Sequence, residues 1–144
     1  MRRGFTLVEL IIVIVIIGIL ALIALPRIYT NIENARRAEA YASARSIADA
    51  ERAYAASRTG NEIKSIAATG DWPITADFDG DGSNEYDMTD PKSANFDYHV
   101  TGASFVAGYV EAASKRGTIS YCRCLASGNS TQAAGNTCAM GSCP

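Results

Sequence analysis

From Phe5 to Leu25 the chain is apolar at every position except Thr6, Glu9 and Gly18, with no polar face at any period. A helix is the predicted form. In lipid an isolated segment can satisfy its backbone only within itself, whatever the strand propensity of Ile11 to Ile17. At about 1.5 Å per residue the run matches a bilayer core about 30 Å thick. Pro26 closes it, and the pattern then turns amphipathic. Ala40, Ala44, Ile47 and Tyr54 recur at helical spacing as a stripe suited to packing on a sheet. Glu33–Arg37 and Arg45–Asp49 sit at i,i+4, and no glycine interrupts before Gly60. A proline inside a helix removes one hydrogen bond and bends the helix when packing continues beyond it. Residues 5–26 and 27–58 are therefore predicted as two halves of one bent helix.

Residues 59–94, rich in Gly, Asp, Asn, Thr and Ser, read as a connecting loop. Alternation returns in 95–125. Phe96, Tyr98 and Val100 alternate with Asp97, His99 and Thr101, and further β-like runs cover Ser104–Ala112 and Gly117–Leu125. Short glycine-containing turns between them predict an antiparallel meander. The tail, 126–144, is small, polar and without apolar period. The expected fold class is α+β: a long N-terminal helix whose second half packs on a small antiparallel sheet, with a disulfide-closed C-terminal region.

Charge and cysteine content narrow the picture. The formal net charge is −2 over 144 residues, with 13 basic and 15 acidic side chains. That balance offers no global basic excess for a dedicated nucleic-acid binder. The four cysteines, Cys122, Cys124, Cys138 and Cys143, all lie near the C-terminus. In a chain whose apolar run directs it out of the cytoplasm they predict two disulfides, with three connectivities open. A direct Cys122–Cys124 bond would close a very tight ring, so pairing each with Cys138 or Cys143 is expected. Their spacing fits no standard four-thiolate zinc site.

The order of residues at the extreme N-terminus is more specific than its composition. Two arginines and Gly4 precede Phe5-Thr6-Leu7-Val8-Glu9, whereas a secretory signal places its small-residue cleavage site after the apolar core. A carboxylate in such a run costs about 2.5 to 3.5 kcal/mol at mid-bilayer, less near the interface, and asks for a partner. The segment closely resembles the N-terminus of type IV prepilins and of the pseudopilins of type II secretion. The resemblance implies cleavage by a prepilin peptidase between Gly4 and Phe5 and N-methylation of the new amine. It also implies a subunit that waits in the inner membrane, meets an assembly platform there, and polymerises with itself and with minor pilins into an extracellular filament. Phe5, Glu9, Gly18 and Pro26 fall on the family's assembly positions. Glu9 would neutralise the Phe5 amine of a neighbouring subunit and so set register; the alternative is a carboxylate merely resting at the interface. Gly costs about 1 kcal/mol and Pro about 3 in a helix, which makes the stretch from Gly18 to Pro26 the weakest of the run.

A second pattern lies in the connector. Asp77, Asp79 and Asp81 alternate and are followed by Gly82, Ser83 and Glu85. That order matches the side-chain, turn, carbonyl and ninth positions of an EF-hand-like calcium loop. Met88 stands at the twelfth position and cannot supply the bidentate carboxylate, for which Asp87 or Asp90 would have to substitute. A solvated Asx-turn loop is the alternative. Other signals are weaker. His99 shares a strand face with Asp97, Asn129-Ser130-Thr131 matches a glycosylation sequon, and Lys115, Arg116 and Arg123 form a basic group near Tyr109 and Tyr121. Nucleophile, phosphate-loop and zincin motifs are absent from the sequence, and no enzymatic activity is expected. The expected function is that of a major pilin. The alternatives are a pseudopilin or minor pilin, and a competence pilin that binds DNA.

Overall fold

The structure, a computed structural model, describes residues 5–58, 61–67, 72–102, 104–117, 119–134 and 138. It divides into two units, one ending at Arg36 and one beginning at Arg37. Helix α1 spans Leu7–Ala56 and is unbroken at Pro26. Thr30 supplies local polar contacts there, its hydroxyl donating to the carbonyls of Arg27 (2.9 Å) and Pro26 (3.4 Å). In the first unit no side chain from Phe5 to Arg36 is buried. Of the two expected helical ion pairs, Arg45–Asp49 forms at 4.0 Å. Glu33 instead pairs one residue earlier than expected, with Arg36 at 3.6 Å.

The second unit carries its own core. Strands β3 (Phe96–Thr101), β4 (Tyr109–Ser114), β5 (Ile119–Cys124) and β6 (Ser130–Ala134) form an antiparallel sheet in the order β3-β4-β5-β6. On one face Phe96, Tyr98, Val100, Val110, Ala112 and Tyr121 pack with Ala40, Ala44, Ile47, Ala48 and Ala50 of α1. The alanines leave room for large rings. Tyr121 meets Tyr41 and Phe96 edge-on, with centroids 5.3 and 5.8 Å away, the arrangement aromatic quadrupoles favour. Glu39 fixes the entry to β3, accepting hydrogen bonds from the Ser93 hydroxyl and the Asn95 side-chain amide.

The opposite face has a smaller cluster of Tyr109, Cys122 and Cys138. Cys122 is bonded to Cys138, with Cα atoms 6.0 Å apart, and the Tyr109 hydroxyl donates to the Cys138 carbonyl at 3.2 Å. Cys124 is also disulfide-bonded, and Cys143 lies outside the described residues. Closing a loop of this size, 16 residues in sequence separation, contributes about 3 kcal/mol in the chain-entropy model. The double variant Cys122→Ser/Cys138→Ser should lose about that much in urea unfolding under non-reducing conditions. A loss below about 1 kcal/mol would mean that strand pairing and the Tyr109 hydrogen bond hold the segment unaided.

Three expectations need correction. The connector is not free of regular structure: β1 (Ile74–Ala76) and β2 (Tyr86–Met88) pair as an antiparallel hairpin, and Ile66 bridges to Val100. The run expected as a strand from Ser104 starts its strand only at Tyr109. Gly102 and Gly108 explain the delay. An added Cβ on Gly102 would lie 2.4 Å from the Gly108 Cα, so the chain turns back on itself there in a way larger residues forbid. The meander, finally, has a fourth strand, β6, within the polar tail.

Candidate functional site

The first turn of α1 is closed by a reciprocal pair. The Glu9 amide donates to the Thr6 hydroxyl (3.3 Å), while the Thr6 amide and hydroxyl donate to Glu9 Oε2 at 2.9 and 2.8 Å. This is a capping box, which satisfies donors that a helix start leaves orphaned. Its signal, Thr6-Leu7-Val8-Glu9, is legible in the sequence as T-x-x-E, yet reading Glu9 only as a charge in lipid passes over it. Phe5 is 81% exposed. Gly18 lies in open surroundings, with nothing within 4 Å of an added Cβ, so packing inside the subunit gives no reason for a glycine. Pro26 has no amide to donate, which leaves the Leu22 carbonyl without its helical partner. Gly4 lies outside the described residues. Together these positions make a bilayer-length apolar surface with a single carboxylate at one end. Among the described residues α1 is the one helix long and apolar enough to cross a membrane.

The acidic motif occupies the tip of the β1–β2 hairpin. Asp77, Asp79, Asp81 and Glu85 each bring one carboxylate oxygen within 4.8 Å of the others. Backbone amides organise them. Asp77 accepts from Gly80 (2.6 Å) and Gly82 (3.1 Å), Asp79 from Asp81 (3.1 Å), Asp81 from Ser83 (2.7 Å) and Glu85 from Phe78 (2.7 Å). Gly80 and Gly82 have φ of 78° and 89°, which a β-carbon would strain. Met88 pairs with Ile74, and Asp87 is opposite Thr75 on the hairpin. Glu85 joins the three aspartates as its ninth position implies, while Asp87 and Asp90, the substitutes for Met88 at the twelfth, are not in the cluster. Four oxygens at this spacing could together hold a hard divalent cation.

The remaining signals are dispersed. Lys115 is engaged, 3.3 Å from Asp97 and donating to the Ser93 carbonyl at 2.9 Å. Arg123 is half-buried and donates to the Ser130 hydroxyl at 3.1 Å, leaving Lys115 and Arg116 as the exposed members of the basic group. His99 stands opposite Glu111 in the sheet register. Sequence reasoning missed Glu51, which is 0% exposed. One of its oxygens accepts the Lys64 amide at 2.9 Å, and the other has no hydrogen-bond partner among the described residues. Burial, partly offset by the Lys64 amide and ammonium, pushes its carboxyl up to about 7. The signal was there, because position 51 continues the 40-44-47-54 stripe and puts a carboxylate on an otherwise apolar face.

Comparison with known proteins bears on the N-terminus. Residues 1–25 match the family model described as the prokaryotic N-terminal methylation motif, the class III signal of type IV pilins. No curated protein and no solved structure matches the chain. The long N-terminal helix, the antiparallel sheets and the C-terminal disulfide fit the α+β architecture of that class.

Proposed function

We propose that this chain is the major structural subunit of a type IV pilus. It is cut between Gly4 and Phe5 by a prepilin peptidase, methylated, held in the inner membrane and then polymerised with its second unit facing outward. One observation carries the reading: from Phe5 to Arg36 the side chains are mostly large and apolar, and none is buried. A surface of that kind, far larger than the apolar patches monomers tolerate, demands lipid or copies of itself. Moving each helix from lipid into a bundle of its neighbours preserves its apolar surroundings and adds packing. Glu9 then pairs with the Phe5 amine of the next subunit, two charges that are costly alone in an apolar medium.

The decisive experiment is intact-mass spectrometry, without reductant, on filaments sheared from the cell surface. The expected species dominates the preparation, begins at methylated Phe5 and is lighter than its reduced form by about four hydrogens, for two disulfides. A chain that is cut but stays with the membrane, or occurs only in trace, would transfer the assignment to a pseudopilin or minor pilin.

The hairpin carboxylates support a second element, a calcium ion held by Asp77, Asp79, Asp81 and Glu85 with the Ser83 carbonyl as a further ligand. Exposed sites of this kind bind with a Kd of about 10⁻⁴ to 10⁻³ M. Calcium at about 10 mM should then stabilise the fold by about 1.4 to 2.7 kcal/mol. Thermal melts with calcium, with magnesium and in the Asp79→Asn variant check this. Equal melting with and without calcium would leave the loop an Asx-turn held by its own amides.

A further inference from the structure

Between Trp72, just ahead of β1, and residues 90–99, which lead into β3, lies a cavity of about 250 Å³. We propose that it binds one neutral pyranose ring, the terminal or side-chain sugar of a glycan. Three properties of the lining point there. Its aromatic wall is Trp72, half-buried against the main core; Phe96 and Tyr98 also line the cavity but belong to that core, only 4% and 6% exposed. A pyranose presents a face of C–H groups that such rings attract through their negative π surface.

The charges lining the cavity balance, Asp90 and Asp97 against Lys92 and Lys115. Asp97 and Lys115 are 3.3 Å apart, and Lys115 also donates to the Ser93 carbonyl, so this pair is largely satisfied. Asp90, Lys92 and His99 remain for a ligand, with acceptor and donor capacity side by side. Hydroxyl groups answer both needs, because each donates and accepts. An anion would meet Asp90 and a cation would meet Lys92, so a neutral polyol is the better match. Size sets the last limit. The volume lies below the range of about 300 to 1,000 Å³ typical of drug-sized ligands, which fits one ring and not a buried oligosaccharide. Nothing in this site depends on whether the second unit is displayed on a filament or at the membrane.

Trp72 is the chain's single tryptophan, so its emission reports directly on the cavity. The full chain, kept in an amine-oxide detergent to avoid glycoside detergents, is titrated with the methyl glycosides of glucose, galactose, mannose and N-acetylglucosamine. Glycerol and glycine betaine serve as controls. At least one glycoside should change the emission saturably, with a midpoint of about 1 to 10 mM, weak as a single ring should be. Asp90→Asn and Lys92→Met, both outside the packed core, should each raise that midpoint at least about fivefold, the loss of one hydrogen bond to a charged group. A response that tracks glycerol for all four sugars overturns the proposal. So does preferential saturation by glycine betaine, or a sugar response that both variants leave unchanged.

Discussion

Glu9→Ala should be cut and inserted in the membrane as the parent chain is, yet its filament yield should collapse. Removing one partner of a charge pair in an apolar setting strands the other, at a cost of about 3 to 5 kcal/mol. For each subunit added, that is a factor of more than about a hundred in the association constant. The capping box supplies a rival cause, because Glu9→Ala also strips the helix start of its reciprocal bond to Thr6. Glu9→Gln separates the two. Glutamine keeps the cap, since S/T-x-x-Q serves as well as S/T-x-x-E, but carries no charge. Shearing and quantifying surface filaments from both variants gives the answer. Loss in both assigns Glu9 to pairing between subunits. Normal yield from Glu9→Gln with loss in Glu9→Ala would reduce Glu9 to a helix cap and end the register role.

Glu51→Gln should stabilise the second unit at alkaline pH and do little at acid pH. The Glu51 carboxyl, held near 7 in the fold by burial, returns to about 4.5 in the unfolded chain, about the ordinary glutamate value. The folded state therefore binds the proton more tightly, and stability falls as pH rises from about 4.5 through about 7. The interval from 4.5 to about 7, at about 1.4 kcal/mol per pH unit, puts the upper bound on that loss at about 3.5 kcal/mol. Glutamine, uncharged throughout, can still accept the Lys64 amide. Urea unfolding of both proteins at pH 5 and pH 8 reads the effect. The variant should match the parent to within about 1 kcal/mol at pH 5 and exceed it by up to about 3 at pH 8. Equal destabilisation at both pH values would instead mean that the ionised carboxylate is held by Lys64 and belongs to the fold.

The long helix was legible because its signals agree: an apolar run of bilayer length, then alanines with a 40-44-47 stripe that the structure buries. Agreement across levels is what makes a local reading safe. The faces of β3 were legible for the same reason, Phe96, Tyr98 and Val100 being buried and Asp97 exposed. Where the reading failed, order comes from partners distant in sequence. Strands β1 and β2 have three residues each, too few to display a period, and exist by pairing with one another. Strand β6, Ser-Thr-Gln-Ala-Ala, has no hydrophobic alternation and is ordered by its register with β5 and by the disulfide that follows at Cys138. The cysteine spacing predicted cross-links without deciding between partners, because proximity of Cys122 to Cys138 is created by the turn between β5 and β6. The acidic loop was visible as a motif. Glu85 was already part of it at the ninth position; the hairpin that brings Glu85 back to the aspartates was not visible.

That no described side chain before Ala40 is buried has a genetic corollary. Substitutions from Phe5 to Arg36 leave the core of the second unit untouched, so assays of folding or proteolytic resistance in single subunits are blind to them. Only a phenotype that counts joined subunits registers such changes. Substitutions beyond Ala40 behave the other way, acting first on how much intact subunit a cell accumulates. A library spread over the whole of α1 should therefore split into two classes, abundance variants and polymerisation variants, with the dividing line inside one uninterrupted helix.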